Sequence, residues 1–319
     1  MANKTENNRR ESHSSESVYL ESSIKSYFRN WEISGYVVTN AISSGAFLLL
    51  FIGLFLNHVL EQPFMTVRPS AIYAGALISI TFLVITALLL ARDIQDYSKF
   101  IKGLINPKVA SRFVFGAYAI FSFAILTSLF AISVFLKWKE VSIFLIYSTA
   151  FAALVVSIST TYLLHSPNGP IQWNRIGLNF HMLSHSFMAG GAAYSIVDAF
   201  FRIGTTWGFY VDLILQISIT CNLIINIIEF ILTRKKHKQS ELVWEITKGK
   251  FKFKFWIGKV LMGNIIPFVL VFFSNMPVLQ TLAGVFIIIG IWISDKIWIA
   301  APILFNNRLS QKVINIKNG

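Results

Sequence analysis

His181 and His185 stand one helical turn apart in an apolar run, LNFHMLSHSFMAGGAAYSIV, so they share a face of any helix that run forms, with Ser184 beside them. Histidine can give or take a proton at ordinary pH, because its unperturbed pKa is about 6.5. Tyr36 and Asn40 are likewise one turn apart in another apolar run, YVVTNAISSGAFLLL. Donors and acid–base groups set in apolar walls are what a ring carbonyl requires if it is to be held and protonated in a water-poor site. If alternate helices start from the same face of a membrane, all four side chains come to one depth. Helix–helix hydrogen bonding and packing are the plainer roles open to the same groups.

Paired histidines also suit haem, but two axial ligands on opposite sides of one iron come from different helices, which adjacent turns of one helix do not provide. A metal site on this pair needs a third ligand that the sequence does not indicate. The single cysteine, Cys221, lies in an apolar run, so this chain supplies neither an internal disulfide nor the thiolates of an iron–sulfur cluster.

A second set of ionisable residues falls in or at the ends of apolar runs. Asp198 and Arg202 are one turn apart, with Asp212 in the next run, while Glu229, Lys259, Asp295 and Lys296 end or enter three further segments. Asn222 and Asn226 fill the middle of one of these. Such groups are costly in a bilayer, and they either pair and snorkel at helix ends or form a route for protons, with Asp198, Asp212, Glu229, Asp295 and Lys259 as its members.

The elements that position these residues follow from composition. Of 319 residues, 55% are hydrophobic, 29 are Phe and only 13% are charged, and the mean hydropathy is +0.61. That is the profile of a polytopic membrane protein. Eight spans fit: Ile33–Val59, Ser70–Ala91, Phe113–Leu136, Val141–Leu164, Ile176–Phe201, Trp207–Thr233, Phe255–Phe273 and Pro277–Phe305. The predicted fold is all-α and integral to the membrane, with two four-helix bundles over 33–164 and 176–305. The helix-breaking stretch 165–175 joins them, and polar tails cover 1–32 and 306–319. The polar start lacks the charge and apolar pattern of a cleavable signal.

The net charge of +13 sits in the links between spans, not on a soluble domain, which argues against nucleic acid as a partner. Lys and Arg gather before the first span, between the second and third, and over Arg234–Lys254. Both ends and these links then share one face, cytoplasmic by the positive-inside rule, in a multi-pass protein of the cell membrane.

The link between the second and third spans carries a family resemblance. Asp93, Ile94, Gln95, Asp96, Tyr97, Ser98, Lys99 and Phe100 are followed by Pro107, Ser111 and Gly116. This resembles the Asp-Leu-x-Arg/His-Pro-x-Arg-Phe ending of the second helix in the NrfD-like membrane subunits of polysulfide reductases, with their Pro-x-x-Ser and a glycine opening the third. Asp96 and Tyr97 replace the usual cation and proline. Ser43–Ala46, the Gly-Ala-Ala patch of the fifth span, Gly263–Pro267, and Gly290 ahead of Asp295-Lys296 resemble further family features in the same order.

The resemblance implies a membrane anchor that exchanges electrons between quinone or quinol and an iron–sulfur subunit serving a catalytic, molybdopterin-dependent subunit, in the respiration of sulfur compounds. It implies a quinone site in the first bundle, onto which Asn40 and Tyr36 are carried over, with His181 and His185 added from their own chemistry. It also implies docking of the iron–sulfur partner on the basic face, over the links Arg92–Arg112 and Arg234–Lys254, with Arg92, Asp93, Lys99, Lys102, Lys108 and Arg112 as the candidates. No haem or cluster is expected on this chain, and membrane lipid is its other partner. A secondary transporter working by alternating access is the alternative, since two four-helix bundles with Gly190, Gly191 and Pro267 interrupting helices describe one as well.

Overall fold

In lipid a backbone must satisfy its own hydrogen bonds, and a chain this apolar does so by forming helices. The computed structural model describes residues 32–57, 69–93, 112–164, 175–201, 205–234, 243–273 and 276–318, and among them helix is the regular structure, with no strand. In chain order the long helices are α1 (Glu32–Asn57), α2 (Pro69–Asp93), α3 (Arg112–Phe135), α4 (Lys139–Leu164), α5 (Arg175–Phe201), α6 (Thr205–Arg234), α7 (Lys254–Ile265 continued by Ile266–Phe273) and α8 (Pro277–Asn318).

Seven of these, all but α5, are long and apolar enough to cross a membrane, so the chain is a helical, multi-pass membrane protein. α5 is as long, at 27 residues, but Asn179, His181, Ser184, His185 and Ser186 lower its hydropathy. Polarity and burial go together here: from His181 to Ser195 every residue but Leu183 and Phe187 is buried. α1 is the other inner helix, with 78% of its apolar window buried against 28% to 44% for the remaining six.

α1 and α5 touch backbone to backbone. A methyl group on Gly45 would fall on the Ser186 carbonyl, and one on Gly190 would fall on the main chain of Gly45 and Ala46. Small residues permit this approach, and in lipid close packing replaces the hydrophobic effect as the force between helices. Hydroxyls then tie neighbours to the pair: Ser43 Oγ donates to the Ser79 carbonyl of α2 at 2.7 Å, and Tyr210 Oη of α6 donates to the Leu49 carbonyl at 2.9 Å. The outward faces of the other helices expose large apolar side chains such as Phe121, Phe144, Phe151 and Phe209, as contact with lipid requires.

Three local features shape the bundle and its edges. α3 and α4 form a tight hairpin in which Trp138 N–H donates to the Ser133 carbonyl at 3.0 Å and Lys137 N–H to Val134 at 3.1 Å, a Schellman closure with Lys137 in the left-handed region at φ 59°. The first part of α7 is π-helical over twelve residues, ahead of Pro267. Proline removes a helix donor and crowds the carbonyl one turn back, and a wider register makes room for its ring. α8 runs unbroken for 42 residues, about 60 Å, where the sequence alone marks the end of its apolar run at Phe305.

Candidate functional site

Two polar clusters lie inside this bundle. The first is on α1. Tyr36 and Asn40 are 4% and 1% exposed. Asn40 Nδ2 donates to the Val156 carbonyl of α4 at 3.3 Å, while Asn40 Oδ1 and the Tyr36 hydroxyl have no hydrogen-bond partner among the described residues. On α4 the buried Thr161 Oγ1 is in the same condition, as is Asn179 Oδ1 on α5. Leaving one such group unsatisfied costs about 1–3 kcal/mol. The Tyr36 hydroxyl can donate to a ligand's carbonyl, and Asn40 Oδ1, with its amide held by Val156, can accept from a ligand's hydroxyl.

The second cluster joins α5, α7 and α8. His185 Nδ1 is 3.5 Å from Asp295 Oδ1, with side chains 2% and 0% exposed. The His181 and His185 ring centroids are 4.2 Å apart, and the His181 ring lies 5.3 Å from that of Trp298. Lys259, buried on the π-helical turn, places its ammonium 5.1 Å above Trp298 and 5.9 Å from Phe255. Asparagines hold the turn in place. Asn264 Nδ2 donates to the Lys259 carbonyl, and Asn222 Nδ2 of α6 donates to Asn264 Oδ1, both at 2.7 Å. Two imidazoles, a carboxylate and an ammonium in a dry site form an acid–base cluster.

The two clusters are neighbours on facing helices, turned in different directions. Ser44 Oγ on α1 is 3.4 Å from Ser186 Oγ on α5 and 3.0 Å from Ser157 Oγ on α4. Asn40 is one turn from Ser44 and accepts its hydroxyl proton at the backbone carbonyl, 2.8 Å away. His185 is next to Ser186 in sequence. Asn40 is thus near the depth of the histidines, yet it faces α4 while His185 faces α8.

The remaining sequence candidates fall elsewhere. Gln280 Nε2 of α8 donates to Asp212 Oδ2 at 2.5 Å, and Asp198 Oδ2 sits over Gly208, 3.6 Å from where a methyl group there would be. Asp198 is about 20 Å along α5 from His185, so the proposed route residues form two separate groups. Glu229, Asp93 and Arg112 are on α6, α2 and α3, with side chains outside the described residues; Lys99, Lys102 and Lys108 lie outside them altogether. Arg92 pairs with Glu32 of α1 at 3.0 Å. Among the described residues no three His, Cys, Asp or Glu side chains are placed to hold a metal ion.

Sequence reasoning assigned Asp295 and Lys259 to helix ends and missed their meeting with His185 and His181. It also missed Asn264, Trp298 and the Ser44–Ser157–Ser186 junction. The Gly263–Pro267 step was the available signal for the π-helical turn, since a helix proline displaces the register of the turn before it.

No protein-family model matches this chain, and no curated protein matches it.

Proposed function

We propose that the chain is the quinone-reactive membrane subunit of a multi-subunit oxidoreductase, built as eight spans in two four-helix bundles with α5 as the eighth. The observation that carries the reading is the pair of buried polar atoms on α1, Tyr36 Oη and Asn40 Oδ1, unpartnered among the described residues, in the bundle where the NrfD-like resemblance expects a quinone. A quinone bound there supplies two-electron redox chemistry coupled to proton uptake. Tyr36 donates a hydrogen bond to one ring oxygen, and Asn40, anchored by its bond to Val156, fixes the ring's orientation. The His185–Asp295 pair takes or supplies the proton, with the carboxylate stabilising the imidazolium that forms. Lys259 stands over the Trp298 ring, which offsets part of its charge inside the bundle.

Electrons are exchanged with an iron–sulfur subunit docked on the basic face, which the charge bias makes cytoplasmic, and through it with a molybdopterin-dependent catalytic subunit acting on a sulfur compound. The test is to purify the chain gently from its native membrane and determine the co-purifying subunits and their metals. Iron–sulfur and molybdenum subunits are the expected result, and a metal-free chain found alone contradicts the reading. The π-helical turn with buried Lys259 ahead of Pro267 favours a transporter as the second reading, because broken helices with buried charge mark substrate sites in such proteins. Solute uptake by the isolated chain in liposomes decides for it.

A further inference from the structure

The link into α7 reads KGKFKFKFW from Lys248 to Trp256, and Lys248, Lys250, Lys252 and Lys254 are all exposed. Between residues 243 and 257 Glu245 is the one carboxylate, and it is folded back on the turn, where Lys250 N–H donates to its Oε1 at 3.5 Å. The link is firmly held. Ile246 and Phe251 are buried against Ile297, Ala300 and Ala301 of α8, and Trp256 Nε1 donates to the Thr247 carbonyl at 3.0 Å.

What surrounds the lysines identifies what they meet. Phe253 and Trp256 are 68% and 53% exposed, and Ile257, Leu261 and Ile265 carry the same exposed stripe down α7 into the bilayer. The rings therefore stand at the upper edge of a lipid-facing surface, with Lys252 Nζ 5.2 Å from the Phe253 ring centroid. Aromatic rings at this level and ammonium groups just above them match the acyl–glycerol boundary and the phosphate layer of a membrane. A soluble acidic partner would neutralise the lysines but leave the rings uncovered.

We propose that residues 248–256 form a binding site for anionic phospholipid, the lysines taking the phosphate of the headgroup and Phe253 and Trp256 lying against the top of its acyl chains. The site is separate from the quinone reading and stands without it. The test uses the full chain, delipidated in a neutral detergent, with phosphatidylglycerol and phosphatidylcholine as probes. Retained lipid is read by native mass spectrometry and the unfolding midpoint by tryptophan fluorescence. Wild type is expected to retain phosphatidylglycerol and to be stabilised by it beyond phosphatidylcholine. The combined Lys248→Gln, Lys250→Gln and Lys252→Gln variant is expected to bind it about a hundredfold more weakly, roughly fivefold for each lysine. Lys137→Gln with Lys139→Gln, on the α3–α4 hairpin, is expected to bind as wild type. Equal retention of both lipids by wild type overturns the proposal. So does a triple variant that keeps the lipid but loses an acidic protein that wild type retains in native membranes.

Discussion

His185 on α5 and Asp295 on α8 face each other 3.5 Å apart inside an apolar bundle, with side chains 2% and 0% exposed. Neither Asp295 oxygen has a hydrogen-bond partner among the described residues, and the His185 imidazole stands within ion-pair distance of Oδ1. Breaking a buried pair by removing one member costs about 3–5 kcal/mol, mainly because the other is left uncompensated.

The first prediction rests on that asymmetry. His185→Leu is expected to lower the thermal midpoint of the detergent-solubilised protein markedly, and adding Asp295→Leu is expected to recover much of the loss. Additive losses in this double-mutant cycle would mean that the two side chains do not interact.

Helix contact through glycine gives the second. Gly45→Ala and Gly190→Ala each drive a methyl group into main chain of the opposite helix, and backbone cannot yield as a flexible side chain can. Both are expected to lose about 3 kcal/mol or more, enough to abolish accumulation of folded protein in membranes. Gly208→Ala, whose nearest neighbour would lie at 3.6 Å, is expected to be tolerated. Fluorescence-detected size exclusion of the three variants separates these outcomes.

Lys137 supplies a third. Its φ of 59° closes the α3–α4 hairpin at the position that Schellman ends usually give to glycine. A left-handed conformation costs a residue with a Cβ about 1–2 kcal/mol, so Lys137→Gly is expected to raise the unfolding midpoint, partly offset by the freer unfolded chain. An unchanged or lower midpoint would show that the lysine side chain contributes there.

Ser44 makes the junction between the clusters testable. Ser44→Ala removes the contacts to Ser157 and Ser186 and is expected to cost stability only about 1 kcal/mol, because intramembrane hydrogen bonds are individually modest. If the hydroxyls also connect the Tyr36–Asn40 site with the acid–base cluster, quinol-dependent turnover falls well beyond what that loss explains, and its solvent isotope effect changes. Turnover equal to wild type limits Ser44 to packing.

The helices were legible because the pattern that makes them is local: composition and run length fix a membrane helix before any partner is known. The partners were not legible, because a helix hydrophobic all round shows no preferred face, and which residue of α5 meets which residue of α8 depends on how each is rotated. Asn40 illustrates the limit: its register on α1 gave its depth near the histidines, and only the packing shows it turned toward Val156. Asp295 and Lys259 read as helix-end charges because their burial is created by the π-helical turn and by the close passage of α7 and α8 at Gly263 and Gly290. There a methyl group on Gly263 would come within 2.9 Å of the Gly290 Cα. α5 taught the converse: the one long helix without an apolar window of membrane-spanning grade is buried, because polar groups in a membrane are safest among other helices.

Whether Tyr36 and Asn40 hold a quinone is decided by quinol-dependent electron transfer in the complex purified from its native membrane, with wild type, Tyr36→Phe and Asn40→Ala compared. Tyr36→Phe removes one oxygen, and with it a buried hydroxyl that has no partner among the described residues, so the fold is expected to be as stable as wild type or slightly more so. Turnover is nevertheless expected to fall about tenfold or more in both variants, with subunit composition and metal content unchanged. Wild-type turnover in both variants would contradict a quinone at this site.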